Sequence, residues 1–124
     1  MKQLKEGNPF NALIEPALVL STGHIDPDTA HDLNVLYQGE EAALAGEGID
    51  FDSYLTTRRT LGHPICYEYG WFFNPTVVLS LADEGVQIPH CILMAANLAK
   101  KMEATLLVFD RDKKACNWLP VYDW

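Results

Sequence analysis

Residues Ala17 to Ser21 (ALVLS) form a short apolar run directly behind Pro16, and Asp26-Pro27-Asp28 follows after a brief loop. This junction constrains the fold more than any other stretch. A continuous apolar run of that length is the mark of a strand covered on both faces, which places it centrally in a sheet. The acid-proline-acid triplet is a helix start. Asp26 caps free N–H groups, Pro27 suits the first helical position because it has no N–H to satisfy, and Asp28 meets the positive end of the dipole. A strand feeding a helix so soon must bury the helix's apolar stripe on its own sheet. The spacing predicts a helix to about Gln38, with Ala30, Leu33, Leu36 and Tyr37 inward and Asp28, Asp32 and Gln38 outward. Gly39 is its expected terminator, with room for a further helical turn over Glu40 to Ala45. Gly46 and Gly48 then open an acidic loop that runs to Asp52.

From Ile65 the pattern changes to period two. Ile65, Tyr67, Tyr69, Trp71 and Phe73 fall on one face and Cys66, Glu68, Gly70, Phe72 and Asn74 on the other, which reads as a strand with a bulge at Gly70. Asn74-Pro75 reads as a turn into a second strand, Thr76 to Leu81 (TVVLSL), giving a hairpin. Pro89 opens a second helix through Met102, with Ile92, Leu93, Ala96 and Ala99 at helical spacing and Lys100 and Lys101 at its negative end. Ala104 to Phe109 is a buried strand, Asp110 to Lys113 a turn, and Ala115 to Tyr122 a last strand that Pro120 confines to an edge or a strand end. The expectation is one α+β domain over residues 1–124. It has a single mixed sheet of about five strands in the order β-α-β-β-α-β-β, with two main helices packed mainly on one face.

At 124 residues and 48% apolar composition, one such domain is what the chain has material for. No window approaches the roughly 18 consecutive apolar residues of a membrane span, and Met1 to Phe10 lacks a signal-peptide core, so a cytoplasmic protein is expected. Charge is unevenly spread. Between Lys5 and Arg58 there is no lysine and no arginine, while ten carboxylates lie there, and the formal net charge is -8. Such a field repels nucleic acid and anionic membrane and attracts a basic protein surface. Asp26, Asp28, Asp32, Glu40, Glu41, Glu47, Asp50 and Asp52 are the candidate partner-binding carboxylates. Arg58 and Arg111 are the basic residues that can fold back to neutralise them. Phe72 joins the candidates because period two sets it opposite the other aromatics, where it meets either a second layer or a partner.

Catalytic candidates are sparser. If the first and third strands run parallel, Ser21, Thr22 and His24 face Ser80, Asp83 and Glu84 across one cleft, with His24 as acid, base or ligand. The competing reading is structural: Ser21, Thr22 and Asp26 satisfy orphan N–H groups and His24 is a loop residue. His24, Asp26, Asp28 and His31 have a superficially metal-like spacing, but a cap and a first-turn acid account for the two aspartates, so no metal and no cofactor is expected. Cys66, Cys91 and Cys116, an odd number without a C-x-x-C pair, are expected to be unpaired and buried.

Leu18 to Ile25 (LVLSTGHI), Tyr69-Gly70-Trp71-Phe72, Ile88-Pro89 and Leu119 to Trp124 (LPVYDW) resemble a family of small proteins of unknown function encoded on bacterial plasmids, prophages and integrative elements. That resemblance implies a context of accessory proteins that modulate host defence or toxin systems, and it assigns no site residue. Together with the charge pattern, it gives the functional expectation of a non-enzymatic protein-binding module. Its target would be a nucleic-acid-handling protein with a basic surface. The alternative is a small enzyme or ligand-binding protein using the His24 cleft.

Overall fold

The computed structural model describes residues 16–46 and 50–122. Its elements are β1 (Ala17–Ser21), a 3-10 turn (Thr22–His24), α1 (Pro27–Leu44), α2 (Phe51–Thr60), β2 (Ile65–Tyr67), β3 (Gly70–Phe73), α3 (Pro75–Asp83), α4 (His90–Lys101) and β4 (Leu106–Asp110). The strands form one mixed sheet in the order β1-β4-β3-β2. Strand β4 is parallel to β1 and antiparallel to β3, which pairs antiparallel with β2. The α+β class is as expected. Among the described residues the sheet has four strands rather than about five, and there are four α-helices rather than two.

One side of the sheet is dry. Leu20, Trp71, Phe73, Leu107 and Phe109 are buried there, with Leu20 paired to Phe109 and Phe73 to Leu107 in the ladder. They join Ile25, Leu33 and Leu36 around α1, Val78 and Leu81 of α3, and Ile92, Ala95, Ala96 and Ala99 of α4 in a single core. Helix α4 packs on β4 and on α3. The opposite side carries Val19, Ile65, Phe72 and Val108, which are half-buried or exposed. Among the described residues strand β1 therefore lies at an edge with only its end buried, not centrally, with the parallel β4 as its neighbour.

Three expectations change for local reasons. Thr76 to Leu81 is helical. Asn74 accepts from the Thr76 and Val77 N–H groups at 2.9 and 3.3 Å and Pro75 takes the first helical position, so Asn-Pro is a cap rather than a turn. Burial of Val78 and Leu81 at i, i+3 outweighs the strand preference of the two valines. Ile65 to Phe73 is a two-strand hairpin, in which Tyr67 pairs with Gly70 around Glu68-Tyr69, Ile65 with Phe72 and Cys66 with Trp71. The tight turn resets the alternation, so Ile65 and Tyr67 share the face of Phe72. Ala115 to Tyr122 makes no strand but crosses the end of the sheet as a strap.

Helix α1 runs past Gly39, whose bare Cα faces Tyr54 of α2, because Glu40 to Leu44 are sound helix formers. Helix α2 begins inside the stretch expected as a loop to Asp52 and continues through residues for which no element is expected. Asp50 caps it by accepting from the Ser53 N–H at 3.3 Å, and it buries no residue fully, so the sequence there has no strong apolar period. The three cysteines are free thiols, Cys91 buried and Cys66 and Cys116 half-buried.

Gly70 begins β3 where the strand crosses β4 most closely. A Cβ at this position would sit 1.8 Å from the Phe109 carbonyl oxygen, a backbone atom that cannot rotate away. Gly70→Ala is therefore expected to cost about 3 kcal/mol, the upper part of the overpacking range, and to lower Tm by about 10 °C. A thermal melt within a degree or two of wild type would refute that close approach.

Candidate functional site

His24 lies in the 3-10 turn that ends β1 and is 2% exposed. Its Nδ1–H donates to the Pro120 carbonyl at 2.8 Å, and its Nε2 accepts from the Cys116 N–H at 3.0 Å. One tautomer, neutral, satisfies both. The Tyr122 N–H adds a third tie, donating to the Gly23 carbonyl at 2.8 Å. Both nitrogens of His24 thus hold the strap, leaving none for a substrate. The Ser21 hydroxyl accepts from the Gly23 N–H at 3.0 Å.

The partner set expected for His24 lies on α3. Ser80 and Asp83 are exposed there, and Glu84, just beyond, pairs with Arg59 of α2 at 3.9 Å. Because Thr76 to Leu81 is a helix, the parallel strands that would aim the two sets at each other do not form. The parallel neighbour of β1 is β4, so the loop opposite Thr22 is Asp110 to Lys113. There a cleft of about 420 Å³ opens between α1, the β2–β3 hairpin and the end of β4, lined by Tyr37, Tyr67, Tyr69, Trp71 and Arg111 among others. It occupies the crevice outside the carboxyl ends of parallel strands, where ligand sites of α/β sheets concentrate. Sequence reasoning names Thr22 among its residues. It misses Tyr37, assigned inward but 43% exposed, and Arg111, because long-range register brings them together.

The chemistry of the cleft is that of protonated phenols and a quiet thiol. Burial, reinforced by donation to Asp110 Oδ2 at 3.0 Å, pushes the Tyr67 hydroxyl up to about 12. Tyr37 is raised by donation to Glu41. Burial and the Glu40 charge push the Cys66 thiol up to about 11, which removes it as a nucleophile at neutral pH. The Arg111 guanidinium sits 5.1 Å from the Tyr69 ring centroid, and the Arg111 N–H donates to the Tyr69 carbonyl at 2.9 Å.

A family model described as "Family of unknown function (DUF5983) C-terminal domain" matches residues 17–124. The chain belongs to that family. The span that defines this family domain begins at the first residue of β1 and holds every residue of the cleft and of the His24 strap. No curated protein and no solved structure matches the chain.

The acidic candidates divide by position within the family domain. Asp28, Asp32 and Glu41 are exposed on α1, and Asp50 and Asp52 are exposed at the start of α2. Glu40 accepts from the Tyr54 hydroxyl at 2.8 Å and lies 3.9 Å from Arg58. Arg58 is further held by His63 Nδ1 at 2.9 Å and the Pro64 carbonyl at 3.4 Å. Glu47 lies outside the described residues. Phe72 is half-buried on the open side of the sheet, its ring 5.4 Å from that of Tyr67. Among the described residues no group of three or more His, Cys, Asp or Glu is placed to hold a metal ion, and no helix is long and apolar enough to cross a membrane.

Asp26 is the cap of α1. Burial alone would raise its carboxyl, but hydrogen bonds from the Thr29 N–H (2.8 Å), the Cys91 thiol and the Thr29 hydroxyl (3.0 Å) outweigh it and hold the group below its ordinary 3.8. The resulting stabilisation is fully present above 3.8 and is lost as pH falls through the lower folded value. Asp26→Asn is expected to be less stable than wild type by about 1 kcal/mol at neutral pH. Denaturant melts should show that gap closing below pH 4; a gap that persists there would remove the charge from the account.

His24→Ala strands the Cys116 N–H and the Pro120 carbonyl and empties a buried volume. A loss of about 2 to 4 kcal/mol is expected, together with faster chymotrypsin cleavage after the exposed Trp118 as the strap lifts. Unchanged cleavage kinetics would show that the strap is held by something else.

Proposed function

We propose that this chain is a non-enzymatic binding module that docks a basic protein surface onto the α1–α2 face. The observation that carries this reading is the state of the acidic block after folding. Among the described residues the ion pairs are Arg58–Glu40 and Arg59–Glu84, so folding neutralises Glu40 of the block and leaves Asp28, Asp32, Glu41, Asp50 and Asp52 in solvent. Large apolar side chains stand among them: Val35 on α1, and Phe51 and Leu55 one turn apart on α2, the latter two 61% and 54% exposed. Exposed apolar side chains and charge of one sign on the same two helices have the composition of a docking surface, in which the anchors supply affinity and the charge supplies steering. The commitments of His24 and the raised thiols of Cys66 and Cys91 lend weight to binding over catalysis.

A protein that handles nucleic acid presents a surface built for phosphate, and a row of carboxylates is the protein counterpart of phosphate. The resemblance to proteins of plasmids, prophages and integrative elements makes a host defence or toxin protein the fitting target, and inhibition or modulation the fitting outcome. The test uses the full chain and a variant carrying Asp28→Asn, Asp32→Asn, Glu41→Gln and Asp52→Asn. Wild type is expected to retain its partner from host extract at about 0.1 M salt and release it near 1 M, as the screening length falls from about 10 Å to about 3 Å. The variant should lose the same partner at both salt concentrations while melting at or slightly above the wild-type temperature. Equal retention by the folded variant would move the binding surface away from α1 and α2.

A further inference from the structure

The aromatic cleft has a chemistry more specific than a general acidic surface. Its lining includes Tyr37 from α1, Tyr67 and Tyr69 from the hairpin, and Trp71 from β3, and of these Tyr37 and Tyr69 are the exposed ones. The Tyr67 phenol donates to Asp110 at 3.0 Å, which increases the electron density of its ring. Glu68 stands exposed at the rim. Electron-rich ring faces backed by carboxylates attract a cation, and a planar guanidinium stacks on them better than an ammonium does. One guanidinium is already there: Arg111 lies 5.1 Å from the Tyr69 centroid, within the range of about 6 Å over which the attraction acts. At about 420 Å³ the cleft is at the small end of ligand sites. A nucleobase would also stack on these rings, but its phosphate would meet a chain of net charge -8.

We propose that this cleft receives an arginine side chain of the basic partner, stacked on an exposed tyrosine ring and paired with Glu68 at the rim. The inference rests on the basic-partner reading and adds the residue type and the place of its anchor. It makes Arg111 a resident competitor: its guanidinium occupies the Tyr69 wall when the partner is away, and an incoming arginine takes that wall or stacks beside it.

The probe is an acetylated, amidated tetra-arginine peptide, with tetra-lysine and tetra-citrulline peptides as comparisons, titrated at low salt into the ¹⁵N-labelled full chain. Arginine is expected to bind tighter than lysine and lysine tighter than citrulline, with the largest shifts at the Gly70 and Arg111 amides and the Trp71 indole N–H. Tyr37→Leu and Tyr69→Leu alter side chains that are partly in solvent and should each weaken the arginine peptide roughly two- to fivefold. Arg111→Gln should tighten it by a similar factor. The sign of that last effect is decisive, because a site for an anion would lose affinity on the same change. Shifts confined to the exposed carboxylates of α1 and α2, indifferent to the tyrosine variants, would overturn the cleft as the anchor and leave the acidic-face reading intact. Weaker binding in Arg111→Gln, or no shift at Gly70 and Trp71 with any peptide, would overturn it as well.

Discussion

Strand β4 is gripped from both sides, and the grip is tightest where the Gly70 backbone meets the Phe109 carbonyl with no side chain between them. That contact sets the height of the β2–β3 hairpin relative to the end of β4. It brings the Tyr67 hydroxyl within 3.0 Å of Asp110 and lets the Arg111 N–H reach the Tyr69 carbonyl at 2.9 Å. The parallel pairing of β4 with β1 then fixes which loop exits beside it, so Thr22 and Arg111 share one rim. Remove the close approach and the hairpin rides up, separating the aromatic rings that make the cleft.

A second fixed point is His24. A buried imidazole that donates from one nitrogen and accepts with the other ties a segment without secondary structure to the turn that ends β1. The strap has Pro120 in its middle, which has no N–H to offer a sheet edge, and the histidine supplies a side-chain partner in place of a ladder. Polar satisfaction, rather than reactivity, accounts for its burial. The Asp26–Cys91 contact has the same character: a helix cap whose carboxylate also accepts from a thiol at the start of α4, joining two helix ends.

Charge and burial are separated along the chain. The acid-rich segment folds into α1 and α2; of its arginine neighbours Arg58 neutralises Glu40 alone, held also by His63 and Pro64, and Arg59 is drawn off to Glu84. Concentration of one sign on two adjoining helices raises the local potential beyond what net charge alone implies, and the same helices carry exposed apolar side chains. The aromatic cleft borders this surface through Tyr37, which shares α1 with Glu41 of the acidic block.

Local chemistry was legible where it stood alone. The apolar run Ala17 to Ser21, the Asp26-Pro27-Asp28 start, the Pro89 helix and the strand before Asp110 all form as their residues dictate, because caps, proline geometry and apolar period act within a few residues. The burial of one sheet face and the acidity of the first half were legible for the same reason. What tertiary structure alone decided were the matters where two local readings compete. Asn74-Pro75 is both a turn and a helix cap, and burial of Val78 and Leu81 in the common core chose the helix. Helix α2 has little apolar period of its own and forms with Tyr54 bonded to Glu40 across from α1. The edge position of β1, the commitment of His24 to the strap, and the meeting of Tyr37 with the hairpin and Arg111 all rest on pairings between residues far apart in the chain. Sequence spacing carries no record of such pairings, because their energy comes from contacts that exist only once β4 lies between β1 and β3.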